Sequence, residues 1–432
     1  MNLPAGRSAS GTRVSSGTMH SLIGSGDKVA VMNGTMDLRR RLGRLRRRLS
    51  GAEQEALLSQ VAELAGEVST LSARLEQPGG ESPAHTDVAI VSDFRLPGGT
   101  TASIAEEVRA QSAAGVRTAL IHAQSAVTST STGFSRHIRA VLGLPGVDVV
   151  SPRSALHANL LVIRHPKVIE TAVAQFPGIT AGHVVIVANH PALDADGTWQ
   201  YGVLEAGAAA YEAFGVTPEW APISPVVRAS IQEQGEPPER LAQDDWVNIF
   251  GQEMTTTPRT GFVAEKPVIG RHSRPQKEKW PATAEALLGA YPDGGDYRVE
   301  ILGGAEVPEK VLGAVPAGWQ VQPFGSEEPA DFLQRIDFWV FMHHPDWREA
   351  FGRAIMEALA AGCVAVLPQY LRQVFGDAAL YAEPSQVLSV VDRYWDDQGA
   401  YLEQSRRGQQ FAAEHGPAGH LQRLRQRGVS IP

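Results

Sequence analysis

The chain has 432 residues, of which 43% are hydrophobic and 20% charged, and its formal net charge at pH 7 is −8. That length predicts more than one domain, and the acidic balance gives no reason to expect a nucleic-acid-binding protein. The single cysteine, Cys363, excludes an internal disulfide and a cysteine-based metal site. No apolar stretch reaches the ~20 residues that a membrane-spanning helix needs.

The amino-terminal region differs in composition from the rest of the chain. Residues 1–35 are rich in serine and glycine without hydrophobic periodicity, so we expect them to be disordered, and they lack the apolar core of a signal peptide. Residues 36–84 combine dense arginine with leucines at helical spacing, which predicts a basic amphipathic, coiled-coil-like helix followed by a linker. Within it, residues 36–76 either contact the inner face of a membrane or join copies of the chain, and both readings stay open. We expect a cytoplasmic protein.

From about Asp87 onward, strand-like apolar runs alternate with helix-like runs, the pattern of α/β proteins with parallel sheets. The alternation predicts two tandem Rossmann-like domains with a cleft between them. We place the first domain at 85–225, a proline-rich linker at 226–265 and the second domain at 266–400. A last helix, within 401–432, is expected to cross back to the first domain.

Candidate ligand-binding residues follow the strands, because open α/β sheets bind ligands beyond the carboxyl ends of their strands. Cations and glycines at these positions suit a phosphate-bearing ligand, and carboxylates suit the hydroxyl groups of a sugar or ribose. The candidates are Gly98, Gly99, His122 and His190 in the first domain and Arg271, Lys277 or Lys279, Gly303, Gly304, His343, His344, Glu349 and Glu357 in the second.

The stretch "REAFGRAIMEALAAGCVAVLP" places Glu349 and Glu357 with seven residues between them, ahead of an apolar strand. A helix that starts near Ala350 would present the free amides of Ala350, Phe351 and Gly352 to an anion. Gly352 would also let the backbone approach the ligand closely.

This stretch resembles the E-x7-E signature of retaining glycosyltransferases with the GT-B fold, of the glycosyltransferase family 4 type. "VIGRHSRPQKEKWP" resembles the Gly-Arg…Lys element of the same family, and the tandem Rossmann-like layout agrees with it. The resemblance covers about residues 87–432. It implies a GT-B fold with a helical extension at its amino terminus.

The resemblance also implies roles for the two carboxylates and the cations. Glu349 would contact the hydroxyls of the donor sugar, and Glu357 the ribose of the nucleotide. Arg271 and a lysine would bind the diphosphate and stabilise the charge that develops on the leaving group. Two lysines stand near the family's position, and the "EKWP" context favours Lys279 over Lys277.

Residues of the first domain would complete the donor site. Gly98 and Gly99 would let a loop approach the donor across the cleft, and His190 and Arg164 are further candidates for ligand contact. The run Asp194–Asp196 spells an Asp-x-Asp motif that binds metal in a different transferase fold, and here we interpret it as a loop coincidence. We therefore expect no metal and no cofactor other than the donor substrate.

Together these features predict a retaining hexosyltransferase that moves a sugar from a nucleoside-diphosphate sugar to an unidentified glycan, lipid, protein or small-molecule acceptor. Two alternatives remain. One is a nucleotide-sugar 2-epimerase, which would need no acceptor. The other is a non-catalytic GT-B scaffold that uses its helical extension to assemble a glycosylation complex.

Overall fold

The computed structural model describes residues 64–66, 68, 70, 84–128, 133–235, 238–251 and 258–432. The predicted disordered stretch 1–35 and nearly all of the predicted basic helix and linker at 36–84 lie outside the described residues. Among the described residues, no helix is both long enough and apolar enough to cross a bilayer.

The first half of the described chain forms a six-stranded parallel sheet in the order β3-β2-β1-β4-β5-β6. Its central strands are apolar on both faces because helices cover both sides, as in other parallel sheets. The strands are β1 (His85–Ser92), β2 (Thr118–His122), β3 (Val147–Val150), β4 (Leu156–Arg164), β5 (Ile179–Ala188) and β6 (Glu219–Pro222). The helices are α1 (Gly99–Ala113), α2 (Arg136–Arg139), α3 (Pro166–Glu170), α4 (Val203–Phe214) and α5 (Pro225–Glu233).

The second half forms a second six-stranded parallel sheet, in the order β12-β11-β10-β7-β8-β9. Its strands are β7 (Val268–His272), β8 (Arg298–Leu302), β9 (Trp319–Gln322), β10 (Phe338–Val340), β11 (Val364–Leu367) and β12 (Leu380–Tyr381). The helices are α6 (Ala284–Ala290), α7 (Glu306–Leu312), α8 (Pro329–Leu333), α9 (Arg353–Ala360), α10 (Arg372–Phe375) and α11 (Val387–Trp395), with short 3₁₀ turns such as Lys277–Lys279.

The two sheets share one topology. Counted from its own first strand, each sheet has the order 3-2-1-4-5-6, which is the Rossmann order of doubly wound sheets. The prediction of two tandem Rossmann-like domains is therefore confirmed. Three short strands, β6, β9 and β12, were not anticipated from the sequence, because runs of two to four residues carry little periodicity.

The carboxyl-terminal part of the chain forms two helices, α12 (Gln398–Glu414) and α13 (Pro417–Gln426), separated at Gly416. Helix α12 packs against α9 in the second half, and α13 packs against α1 in the first. Arg427, just after α13, donates to Glu219 of β6 at 2.6 Å. The chain thus returns to the first sheet after completing the second.

Candidate active site

Both sheets reverse their strand order beside their first strand, and the loops that follow the strands at these two points surround one cleft. The reversal lies between β1 and β4 in the first sheet and between β7 and β10 in the second. In open parallel sheets, such a switch point forms the ligand-binding crevice. The cleft measures about 730 Å³ and is lined mainly by residues within 96–103, 189–200, 274–279 and 344–353.

One wall of the cleft is the amino terminus of α1. Its N-cap, Gly98, has φ 113°, a backbone conformation that glycine adopts far more easily than other residues. No side chain of the described residues caps this helix, so its first amides remain available as donors. Gly99 lines the cleft, and no described atom lies within 4 Å of the place a Cβ would occupy. The predicted glycine loop therefore leaves its backbone open to a ligand.

Two cations of the second half reach the cleft from the segment after β7. A Cβ on Gly98 would stand 3.6 Å from Nη1 of Arg274, so this guanidinium lies directly across from the glycine loop. Lys277, in the following 3₁₀ turn, also lines the cleft. Within the described part of the chain, neither Arg274 nor Lys277 makes an ion pair. Both charges are therefore available to an anionic ligand.

Glu349 and Lys279 form an ion pair inside the cleft, and both side chains are largely buried. Burial by itself raises the pKa of Glu349, but the charge and hydrogen bond of Lys279 outweigh it and hold the pKa below its ordinary value. Glu349 is therefore ionised at neutral pH. The pair places a fixed negative and a fixed positive charge side by side.

A buried tyrosine holds the backbone of Glu349. The hydroxyl of Tyr370 accepts from the Glu349 amide at 2.9 Å and lies 2.8 Å from Nε2 of His343. Burial lowers the pKa of His343 to about 4, so its ring is neutral near pH 7, and Nδ1 lies 2.7 Å from the carbonyl of His344. Nδ1 therefore carries the proton, and Nε2 accepts from Tyr370.

The helix that bears Glu357 begins later than predicted. Helix α9 starts at Arg353 with Gly352 as its N-cap at φ 81°, rather than near Ala350. An earlier start is prevented because Gly352 has a left-handed backbone conformation that an α-helix cannot contain, and because the carbonyl of Ala350 accepts from Ser224 instead of from a helical amide. The uncapped amides that face the cleft are therefore those at the start of α9, and Gly352 remains at its entrance.

Phe351 lines the cleft although it is only 2% exposed. Its ring packs against Phe250 and Phe375 in the core. The contact expected of Phe351 was one from its backbone amide, and it stays a prediction.

Glu357 lies one turn into α9, behind the lining residue Arg353. Its carboxylate accepts from Nε of Arg353 at 2.8 Å and pairs with Nε2 of His272 at 3.0 Å. Burial alone raises the pKa of Glu357, but the hydrogen bond from His272 and the charge and hydrogen bond of Arg353 lower it overall. The side chain is 22% exposed and so remains partly accessible, although Glu357 is not among the residues that line the cleft.

Arg271 does not line the cleft, contrary to the role predicted for it. It is fully buried and donates to the Tyr291 hydroxyl at 3.1 Å, to the Met342 carbonyl at 3.3 Å and to the Lys279 carbonyl at 2.5 Å. Its guanidinium lies 3.8 Å from the centre of the Trp280 ring. Because β7 continues to His272, Arg271 stands within the strand and turns into the core, where it supports the turn that carries Lys279.

Arg164 does not reach the cleft either. It is fully buried at the end of β4, and its guanidinium donates to Glu107 at 2.8 Å and to Asn248 at 3.3 Å. Glu107 also accepts from the indole of Trp246 at 2.9 Å. The donors of Arg164 therefore serve a buried network, and the ligand contact expected of this residue stays a prediction.

We expect Arg164→Lys to lower the free energy of unfolding by about 1–2 kcal/mol, because lysine keeps the charge but cannot bridge Glu107 and Asn248 with a planar fork. Urea unfolding measures this loss. Nucleotide affinity, measured by calorimetry on the same variant, should stay within twofold of the wild type. A large loss of affinity with unchanged stability would return Arg164 to the ligand site.

Two histidines of the first half lie at the cleft. His190 lines it and makes an edge contact with Trp347, with ring centres 5.6 Å apart. His165, directly after β4, has φ 83° although it is not glycine, and such strain concentrates at functional sites. Its Nδ1 has no hydrogen-bond partner among the residues that the structure describes, and burial together with His190 lowers its pKa. His165 thus presents a neutral ring with a free nitrogen.

Sequence reasoning did not single out His165, Asn189 or Arg274 as site residues. His165 directly follows a long apolar strand and precedes proline, and this strand end was the available signal. Asn189 follows β5, lines the cleft and has an unpartnered carbonyl oxygen within the described chain. Arg274 lies two residues beyond the end of β7, and no motif in the sequence marks it.

The Asp194–Asp196 loop borders the first-domain side of the cleft. The Ala195 amide donates to the carbonyl of Asp346 at 3.1 Å and so ties the loop to the second half. Burial raises the pKa of Asp194, whose carboxylate accepts from Gln200. In the described ranges, no group of three or more side chains is arranged to hold a metal ion. The expectation that the protein needs no metal ion stays a prediction.

No family model and no curated protein matches this chain. Solved structures do match it. HepE from Anabaena, in complex with UDP and glucose, superposes with a TM-score of 0.58 at 12% identity over 79% of this chain and 99% of that one. A glycosyltransferase from Rickettsia africae gives a TM-score of 0.56 at 10% identity, covering 79% and 98%. At such identities the likeness shows the fold, and the chain therefore has the GT-B fold of two Rossmann-like domains that its sequence predicts.

Proposed function

We propose that the protein is a retaining glycosyltransferase that uses a nucleoside-diphosphate sugar. One observation carries the proposal: two uncapped, glycine-led helix termini, those of α1 and α9, meet the unpaired cations Arg274 and Lys277 at one cleft. Free helix amides and cations together form a site for phosphate groups. A diphosphate bound between the two halves would accept hydrogen bonds from these amides and pair with both cations.

The donor sugar would lie between the Glu349–Lys279 pair and the histidines of the first half. Glu349 would accept from sugar hydroxyls, and His165 would contact the sugar from the opposite wall, as a first-domain histidine often does in the family that the sequence resembles. Lys279 would stand beside the bond between the anomeric carbon and the β-phosphate oxygen. Its charge would stabilise the negative charge that grows on that oxygen as the bond breaks.

Transfer with retention follows from attack on the leaving-group face. The bond from the anomeric carbon to the phosphate breaks while the acceptor oxygen bonds to that carbon on the same side. The acceptor proton passes to the departing phosphate oxygen, so the chain need not supply a carboxylate nucleophile. The roles of Glu349 and Lys279 are then orientation and charge stabilisation.

Uridine is the first base to test, since HepE was also solved in complex with UDP-glucose and superposes with a TM-score of 0.57. The acceptor would bind on the first half, where the side of the cleft around His190 and Asp194 is polar. Hydroxyl groups match these donors and acceptors, so we propose a glycan or another polyol-bearing acceptor.

The variant Arg274→Gln with Lys277→Gln should bind UDP about tenfold more weakly than the wild type, because two charges that face the diphosphate are removed. Its affinity should also depend less steeply on salt, which titration calorimetry at two ionic strengths measures. Lys310→Gln, an exposed lysine of α7, is the matched control and should bind like the wild type. Equal affinity in all three proteins would remove the phosphate site from this cleft.

A further inference from the structure

Two buried side chains, Trp339 and His272, link the second sheet to Glu357. The indole Nε1 of Trp339, on β10, donates to Nδ1 of His272 at 3.0 Å. Nε2 of the same ring lies 3.0 Å from Oε2 of Glu357. Trp339 is fully buried and His272 is 6% exposed, so both rings are fixed by packing. The carboxylate on α9 is thereby tied to the two strands at the switch point of the sheet.

The chemistry of the indole sets the protonation of the histidine. An indole nitrogen can only donate, so Nδ1 of His272 must offer its lone pair. A neutral imidazole then carries its proton on Nε2, which points at the carboxylate. His272 is thus a donor to Glu357, and the carboxylate is an acceptor with no proton of its own.

The other partner of Glu357 is far less constrained. Arg353 lies one turn earlier on the same helix, and its side chain is 37% exposed. Such a pair moves with the helix and cannot fix the carboxylate relative to the sheet. Among the described residues, His272 is the partner that relates this carboxylate to the strand ends.

We propose that His272 is a positioning residue that holds Glu357 as an oriented, purely accepting carboxylate for the two hydroxyls of the donor ribose; this inference rests on the proposed function. A carboxylate accepts about four hydrogen bonds, and His272 and Arg353 use one each. The two sites that remain match two neighbouring hydroxyl donors. The arrangement therefore discriminates ribose from 2′-deoxyribose, which offers one donor fewer.

The test compares UDP, GDP and ADP with their 2′-deoxy forms by titration calorimetry. For the nucleotide that binds best, the wild type should favour the ribose form by about tenfold or more, the effect of one hydrogen bond to a charged group. His272→Leu keeps a similar volume but cannot donate, so ribose affinity should fall about tenfold and the preference should shrink below about threefold. His272→Gln, whose amide can replace Nε2–H, should restore the preference.

Control variants distinguish a failure of the positioning role of His272 from a failure of the proposed function. His157→Leu, an exposed histidine on β4, should match the wild type in affinity and preference. Thermal unfolding of each variant checks that the fold is kept. If Glu357→Ala loses binding while His272→Leu keeps both wild-type affinity and preference, the positioning role is overturned and the proposed function stands. If Glu357→Ala and the wild type bind equally, the ribose role and the positioning role are overturned, and the proposed function stands. If the wild type binds none of the three nucleotides, the proposed function itself is overturned.

Discussion

Lys279→Met should lower the turnover number by about 10²–10³-fold while nucleotide affinity stays within tenfold of the wild type. That loss is typical when one preorganised group that stabilises developing charge is removed. In this chain Lys279 is the cleft cation held against Glu349, and its ammonium also lies 5.1 Å from the Trp347 ring centre. Its position is therefore fixed before the substrate arrives.

A double variant distinguishes the loss of the Lys279 cation from the effect of leaving Glu349 without its partner. Lys279→Met alone leaves the buried carboxylate of Glu349 without its partner, and an unpaired buried charge can distort a site. Lys279→Met with Glu349→Gln removes that charge. We expect no recovery of turnover, measured as nucleoside diphosphate released per unit time. Recovery in the double variant would show that Lys279 acts only by neutralising Glu349.

The matched control is Lys266→Met, an exposed lysine that precedes β7 at the opposite edge of the sheet. Its turnover should equal that of the wild type. A loss as large as that of Lys279→Met would indicate a general effect of charge on the second half instead of a role in the cleft.

Glu357→Ala should weaken binding of the nucleoside diphosphate by about 10²-fold, because two hydrogen bonds to a charged carboxylate are lost. The low pKa of Glu357 means that it is ionised and purely accepting at neutral pH. Titration calorimetry gives the affinity directly. Turnover at saturating donor should fall much less, since the ribose lies away from the reacting carbon.

Glu309→Ala, at an exposed position of α7, is the control for the loss of one surface carboxylate. It should leave nucleotide affinity unchanged. If Glu357→Ala also stays within about threefold of the wild type, the ribose role is wrong, and the carboxylate serves only to hold His272 and Arg353 in place.

The architecture could be predicted because long apolar runs separated by helices leave few alternatives to parallel sheets. The glutamate spacing likewise pointed to one helix, and the structure brings Glu349 and Lys279 together at its entrance. The start of that helix was misplaced by three residues, since it depends on the positive φ of Gly352 and on the contact of Ala350 with Ser224, which is distant in sequence. Local patterns carry no information about such contacts.

The positions of the arginine side chains could not be predicted from local patterns either. Arg271 and Arg274 are three residues apart, and only the end of β7 decides which one faces the cleft. Arg164 looked like a strand-end cation, but Glu107 on α1 neutralises it in the interior. The strained backbone of His165 could not be foreseen either, because a positive φ at a residue other than glycine leaves no mark in composition.

The most direct test of the central claim is a thermal-shift panel of UDP, GDP and ADP sugars on the wild-type protein. We expect the sugars of one base, and the free nucleoside diphosphate of that base, to raise the melting temperature in a concentration-dependent way, because ligands that bind only the folded state stabilise it. If none of these nucleotides shifts the melting temperature at millimolar concentration, the cleft is not a donor site and the proposed transfer reaction is contradicted.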